Sequence, residues 1–158
     1  MHHHAYVWTG PKASFDNEAL RRPPHPEPPP AGSKPELIQR YREVAAEFPT
    51  VDLPPLETAY WLIKPRSLVR GTWGEAKEAA SWLGEQLALY APRFTSEAQR
   101  NSSRPAPLAR LVKYAAERLE SGADVSLGFY LERPSYLSLA VVTCSPNHSK
   151  PELHCPMR

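Results

Sequence analysis

The clearest pattern of apolar and polar positions lies near the carboxyl end of the chain. Apolar residues occupy alternate positions from Val125 to Leu131, and again from Leu137 to Val141. A period of two is typical of a strand, because successive side chains point to opposite faces of a sheet. Residues 132–135 separate the two runs, so the pattern predicts a β-hairpin. In the second run the intervening positions are also mostly apolar, which predicts that this strand lies inside the sheet and is covered on both faces.

The rest of the chain predicts helices alternating with short strands. Three stretches show the 3.6-residue spacing of amphipathic helices, and two of them follow a Ser/Thr-x-x-Glu capping box. Aromatic and β-branched residues dominate two further stretches, which predict strands. The predicted helices start near Ser33, Thr72 and Pro107, and the predicted strands are Ala5–Thr9, Thr58–Ile63 and, less regularly, Gln86–Tyr90.

The resulting order is β-α-β-α-(β)-α-β-β, which predicts an α/β or α+β fold. We expect one mixed sheet of four or five strands, with three helices packed mainly on one face. Right-handed crossovers would make the first two β-α-β passages parallel pairs. A single domain over residues 1–158 is expected, with a Pro-rich extended segment at 12–32 and a polar tail at 145–158. The predicted core comprises Leu37, Tyr41, Val44, Leu83, Leu111, Leu119, Leu127, Phe129, Leu139 and Val141.

Composition narrows the classes of function. The net charge is only +2 and the charges are interspersed, whereas nucleic-acid binders usually carry a basic patch. No apolar run approaches the roughly 20 residues that span a bilayer, and no signal peptide is recognisable. Two cysteines are too few for a disulfide scaffold, so we expect reduced thiols and a cytoplasmic location. Thirteen arginines against six lysines are typical of a GC-rich bacterial genome.

The amino-terminal strand carries a resemblance to a known group of proteins. Tyr6-Val7-Trp8 followed by Gly10-Pro11 resembles small uncharacterised actinobacterial proteins that begin with a Tyr-x-Val-Trp-x-Gly-Pro-like strand. The resemblance covers residues 5–95 and includes a capped helix, here Pro35–Pro49, and a later strand, here Leu87–Pro92. It implies a fold and a source, but no activity.

Cysteine and histidine near the end of the chain suggest metal chemistry. Cys144-x3-His148 and His154-Cys155 supply thiolate and imidazole, the ligands that zinc prefers. No cofactor is expected from the sequence, and a zinc ion held by these four residues is the alternative. Without zinc, we expect Cys144 to be a buried strand residue and the other three to belong to the tail. The histidines at positions 2–4 extend the site if the two ends of the chain meet; otherwise they are exposed or belong to a purification tag.

No catalytic residue is predicted. Cys144 and His148 are close enough in sequence for a nucleophile and its base, but no nucleophile motif surrounds them. Thr9-Gly10-Pro11 follows a strand, yet Pro11 removes a backbone donor that a phosphate loop requires.

Aromatic and arginine side chains near the strands make another protein the expected partner, since Trp, Tyr and Arg dominate interface hot spots. The leading hypothesis is a non-enzymatic binding or accessory protein, such as an inhibitor, immunity factor or regulatory partner. A small enzyme or ligand-binding protein with a pocket lined by Tyr60, Trp61 and Phe129 is the first alternative, and metal binding by the tail is the second. The candidate binding residues are Tyr60, Trp61, Phe129, Tyr130, Arg66, Arg70 and Arg133.

Overall fold

A computed structural model describes residues 1–158 and contains one four-stranded antiparallel sheet. The sheet order is β2-β1-β4-β3, so β4 lies inside the sheet, as its two apolar faces predict. The α+β class and the single sheet are therefore confirmed. The strands are β1 (His2–Pro11), β2 (Gly71–Trp73), β3 (Val125–Tyr130) and β4 (Ser135–Cys144).

Six α-helices and three short 3₁₀ segments surround the sheet, and no helix is long and apolar enough to cross a membrane. The helices are α1 (Lys12–Phe15), α2 (Glu18–Arg21), α3 (Pro35–Glu47), α4 (Ala76–Tyr90), α5 (Glu97–Ser102) and α6 (Pro105–Glu120). The 3₁₀ segments are Thr58–Ile63, Arg66–Leu68 and Ala91–Arg93.

One face of the sheet, which we call the helical face, packs against α4 and α6. Leu139 and Val141 of β4 point to this face and are fully buried. Leu83 and Leu87 of α4 are four residues apart, so both lie on the same side of the helix and are buried there. Gly84 lets α4 approach α6 closely, since a Cβ at this position would lie 2.6 Å from Val112 Cγ2.

The opposite face, which we call the loop face, carries Tyr6 and Trp8 of β1 and Val142 and Cys144 of β4. No long helix covers it. Its cover comes from the short helix α1, from loops, from the 3₁₀ segment around Trp61 and from the end of the chain. Tyr6 stacks on Trp61 with ring centroids 4.6 Å apart.

Three secondary-structure predictions were wrong. Thr58–Ile63 forms a 3₁₀ segment, which buries Trp61 and Leu62 without pairing with a strand. Gln86–Tyr90 is the last part of α4, because the buried stripe of Leu83 continues at Leu87 with helical spacing. The expected parallel pairs are absent, since β1 pairs with β2 and β4 in antiparallel register.

The segments predicted as extended chain or tail are more structured than expected. The Pro-rich segment at 12–32 begins with α1 and α2 and becomes extended only from Arg22. The helix α3 packs loosely, and Leu37, predicted as core, is 54% exposed. Residues 145–158 turn back onto the loop face, where Asn147 and Cys155 are buried.

Candidate metal centre

The register of the sheet brings two histidines and a cysteine together at one end of the loop face. In β1, His2 lies opposite Cys144 of β4. His2 and His4 are two residues apart, so their side chains point to the same face as Cys144. His3 points to the helical face instead, and its Nδ1 lies 2.9 Å from Thr143 Oγ1.

The chain end supplies a fourth ligand, Cys155. Its Sγ lies 3.4 Å from His4 Nε2 and 3.8 Å from His2 Nδ1, and Cys144 Sγ lies 3.0 Å from His4 Nε2. One ligand atom from each of the four residues lies within 4.8 Å of the others. Zinc–sulfur bonds of about 2.3 Å and zinc–nitrogen bonds of about 2.0 Å place tetrahedral ligand atoms about 3.3–3.8 Å apart. The cluster therefore has the donors and dimensions of a Cys₂His₂ zinc site.

Burial shifts the pKa values of two of the four residues, His4 and Cys144, toward their uncharged forms. The pKa of His4 is lowered to about 4, mainly by burial and in smaller part by electrostatic repulsion from the neighbouring His2 and His3. Burial also raises the pKa of the Cys144 thiol, and the neighbouring Cys155 adds to this shift. His4 thus offers a free lone pair, whereas Cys144 must release its proton to bind a metal.

Two residues outside the four ligands shape the cluster. Thr72 Oγ1, on β2, lies 2.9 Å from His4 Nδ1. If Nε2 bound a metal, Nδ1 would carry the proton and donate a hydrogen bond to this hydroxyl, which would fix the orientation of the ring. The hydroxyl of Tyr6 is buried without a hydrogen-bond partner, and its pKa is raised by burial and by the nearby thiols of Cys144 and Cys155.

Asn147 holds the chain end that carries Cys155. Its side-chain amide donates to both carboxylate oxygens of Asp124, at 3.0 and 3.1 Å, and to Thr143 O at 2.8 Å. Its Oδ1 accepts from the backbone N–H groups of Ser149 and Lys150. The first turn after β4 is therefore tied to the β3 side of the sheet, which directs the following residues back over the loop face.

The structure brings together two of the four predicted metal ligands. Cys144 and Cys155 belong to the cluster, but His148 and His154 are exposed and lie outside it. Adjacent residues such as His154 and Cys155 rarely point at one ion, and His154 faces solvent. Their places are taken by the histidines of β1, of which His4 is fully buried rather than exposed. The spacing His-x-His directly before the predicted strand Ala5–Thr9 is the sequence signal for these two residues.

The seven predicted partner-binding residues do not form one surface. Trp61 and Arg70 line a groove beside β1, and Arg66 and Arg70 line a shallower depression. Phe129 stacks on Phe94 beneath α5, at the other edge of the sheet. The remaining residues lie apart from that groove: Tyr60 contacts Phe48, and Tyr130 and Arg133 are exposed near the β3–β4 turn.

Comparisons with protein-family models, with curated proteins and with solved structures found no match. The resemblance to actinobacterial proteins therefore stays a prediction.

Proposed function

We propose that this protein binds a structural Zn²⁺ ion through His2, His4, Cys144 and Cys155. The observation that supports this proposal is the convergence of four ligand atoms from three separate parts of the chain. Thiolate and imidazole suit zinc, whereas Mg²⁺ and Ca²⁺ prefer oxygen ligands. Four protein ligands complete a tetrahedron and leave no position for water or substrate, which is typical of structural rather than catalytic zinc.

Hydrogen bonds alone account poorly for the same contacts. Cys155 Sγ contacts both His2 Nδ1 and His4 Nε2, but a thiol can donate to only one of them and accepts only weakly from the other. The one lone pair of His4 Nε2 likewise faces the sulfur atoms of both Cys144 and Cys155. A central cation satisfies all four ligand atoms at once.

The ion would join the start of β1, the end of β4 and the chain end that covers the loop face. This face has no long helix, and Cys155 contributes to its small buried cluster. Because the ligands come together only in the folded chain, the free energy of zinc binding would stabilise the fold. The metal would compensate for the thin cover of the sheet.

A catalytic cysteine is a weaker interpretation of the same residues. Nucleophilic cysteines are partly exposed and have a lowered pKa. Cys144 is fully buried and its pKa is raised. The geometry thus favours a metal ligand over a nucleophile at Cys144.

Elemental analysis of untagged protein tests the proposal. We expect one zinc per chain, and a lower unfolding temperature after treatment with a chelator. His4→Ala and Cys155→Ala should abolish stoichiometric zinc, whereas His148→Ala and the adjacent His154→Ala should retain it. A protein without bound metal that takes up no added zinc, or equal zinc in all four variants, would contradict the proposal.

A further inference from the structure

The strand β1 is longer than the strand that covers its outer edge. On one side it pairs with β4 along its whole length, from His2 to Pro11. On the other side β2 pairs only with His3–Ala5. The second half of β1 therefore has an open edge, which native sheets normally protect.

The backbone groups at this open edge belong to Val7 and Thr9. Ala5 O points away from β4, because it accepts from Arg70 N at 2.8 Å. Lys12 N points toward the β4 side, because it donates to Pro134 O at 2.8 Å. In an antiparallel ladder the direction alternates from residue to residue. The N–H and C=O groups of Val7 and Thr9 thus point away from β4 and have no strand to pair with.

These groups form the floor of a groove of about 380 Å³. Trp82 and Tyr90 of α4 line one wall, and Trp61 lines the other. These side chains would hinder direct pairing between the β1 strands of two copies of this chain. Aromatic side chains therefore flank the unpaired edge on both sides.

The groove is closed at one end by the residue that precedes β2, Arg70. An antiparallel guest strand would lie in line with β2 and would meet Arg70 with its carboxyl end. Arg70 and Asp52 both line the groove, and neither forms an ion pair within the molecule. The guanidinium complements a terminal carboxylate, and Asp52 complements a basic side chain.

We propose that this groove binds the carboxyl-terminal segment of a partner protein as an added antiparallel strand. Its backbone would pair with Val7 and Thr9, and its terminal carboxylate would bind Arg70. Because side chains alternate along a strand, one apolar side chain would face Trp82 and Tyr90, and the next would face Trp61. This interaction is independent of the zinc site and assigns a surface to the expected protein partner.

A library of random heptapeptides displayed with free carboxyl ends provides the probe. We expect selection of peptides with apolar or aromatic residues at alternating positions near the end. A selected peptide, synthesised with a fluorophore, gives the dissociation constant by anisotropy, and its carboxyl-amidated form should bind about tenfold more weakly.

Variants at Thr9 provide a matched test of the backbone pairing. Thr9→Pro removes the free N–H without removing a bond to β4, whereas Thr9→Ala keeps it. We expect Thr9→Pro to weaken binding about tenfold and Thr9→Ala to leave it nearly unchanged. Equal unfolding temperatures of the two variants serve as the folding control. Arg70→Ala should likewise weaken binding about tenfold, with Arg66→Ala, outside the groove, as its control.

Several outcomes would overturn the proposal. One is that the library yields no binding peptide. Another is that the selected peptide binds Thr9→Pro and Thr9→Ala equally well, which places it elsewhere on the surface. Unchanged affinity after amidation and in Arg70→Ala would refute recognition of the chain terminus.

Discussion

Replacing Asn147 by alanine should weaken both the fold and the proposed zinc site. The side chain is 1% exposed, and its amide donates to Asp124 and Thr143 while its Oδ1 accepts from Ser149 and Lys150. With a net contribution of about 1 kcal/mol from each of these four partners, the loss of stability is about 4 kcal/mol. That is a large part of the stability of an ordinary domain.

Zinc affinity should fall as well, because Cys155 follows the turn that Asn147 holds. Urea unfolding of the metal-free protein measures the first effect, and zinc titration against a competing chelator measures the second. Asn101→Ala is the matched control, since Asn101 is an exposed residue of α5. If Asn147→Ala matched this control in stability and in zinc affinity, the anchoring role assigned to Asn147 would be refuted.

Two further predictions concern burial. Lys64 is buried and donates to Phe48 O and Val51 O, and burial lowers its pKa to about 8. Between pH 8 and 10.5 the Lys64 amine is protonated in the unfolded state but not in the folded state, so the free energy of unfolding should rise with pH, by up to about 3 kcal/mol. Urea unfolding at several pH values, with Lys64→Met as the control, measures this rise. The same pH dependence of stability in both proteins would contradict the prediction. In α4, Leu87→Ala should lower the free energy of unfolding by about 2–5 kcal/mol, because Leu87 is buried. Leu89 is 68% exposed, so Leu89→Ala should lower it by less than about 0.5 kcal/mol. Equal losses of stability in thermal unfolding would instead favour a strand at this position.

The accuracy of the sequence predictions follows the length of each periodic pattern. The hairpin of β3 and β4 and the helix α6 extend over many residues, so their period is unambiguous. The stretch Thr58–Ile63 is short and apolar and shows no clear period. Its apolar side chains favour burial, and a 3₁₀ segment that packs on Tyr6 buries them as well as a strand would.

The candidate metal site was only partly predictable for a related reason. Cys144 and Cys155 were identified by residue type, and His148 and His154 were chosen because they lie near them in sequence. Proximity along the chain is a poor guide, because ligands separated by about 140 residues meet through sheet pairing. The predicted strand begins at Ala5, after His2 and His4, and nothing in the sequence indicated that β1 pairs with β4.

The sequence by itself determined the strands and helices whose apolar pattern repeats over many residues. It also determined the α+β class and the residue types available to a metal. The tertiary structure decided which of those residues meet. The antiparallel pairing of β1 with β4 places His2 opposite Cys144, and the turn at Asn147 returns Cys155 to them. The tertiary structure also decided that β2 is too short to cover the whole outer edge of β1, so the backbone groups of Val7 and Thr9 on that edge have no strand to pair with. Strand pairing and strand length depend on contacts between segments that are distant in the sequence, and a local pattern of residues does not show those contacts.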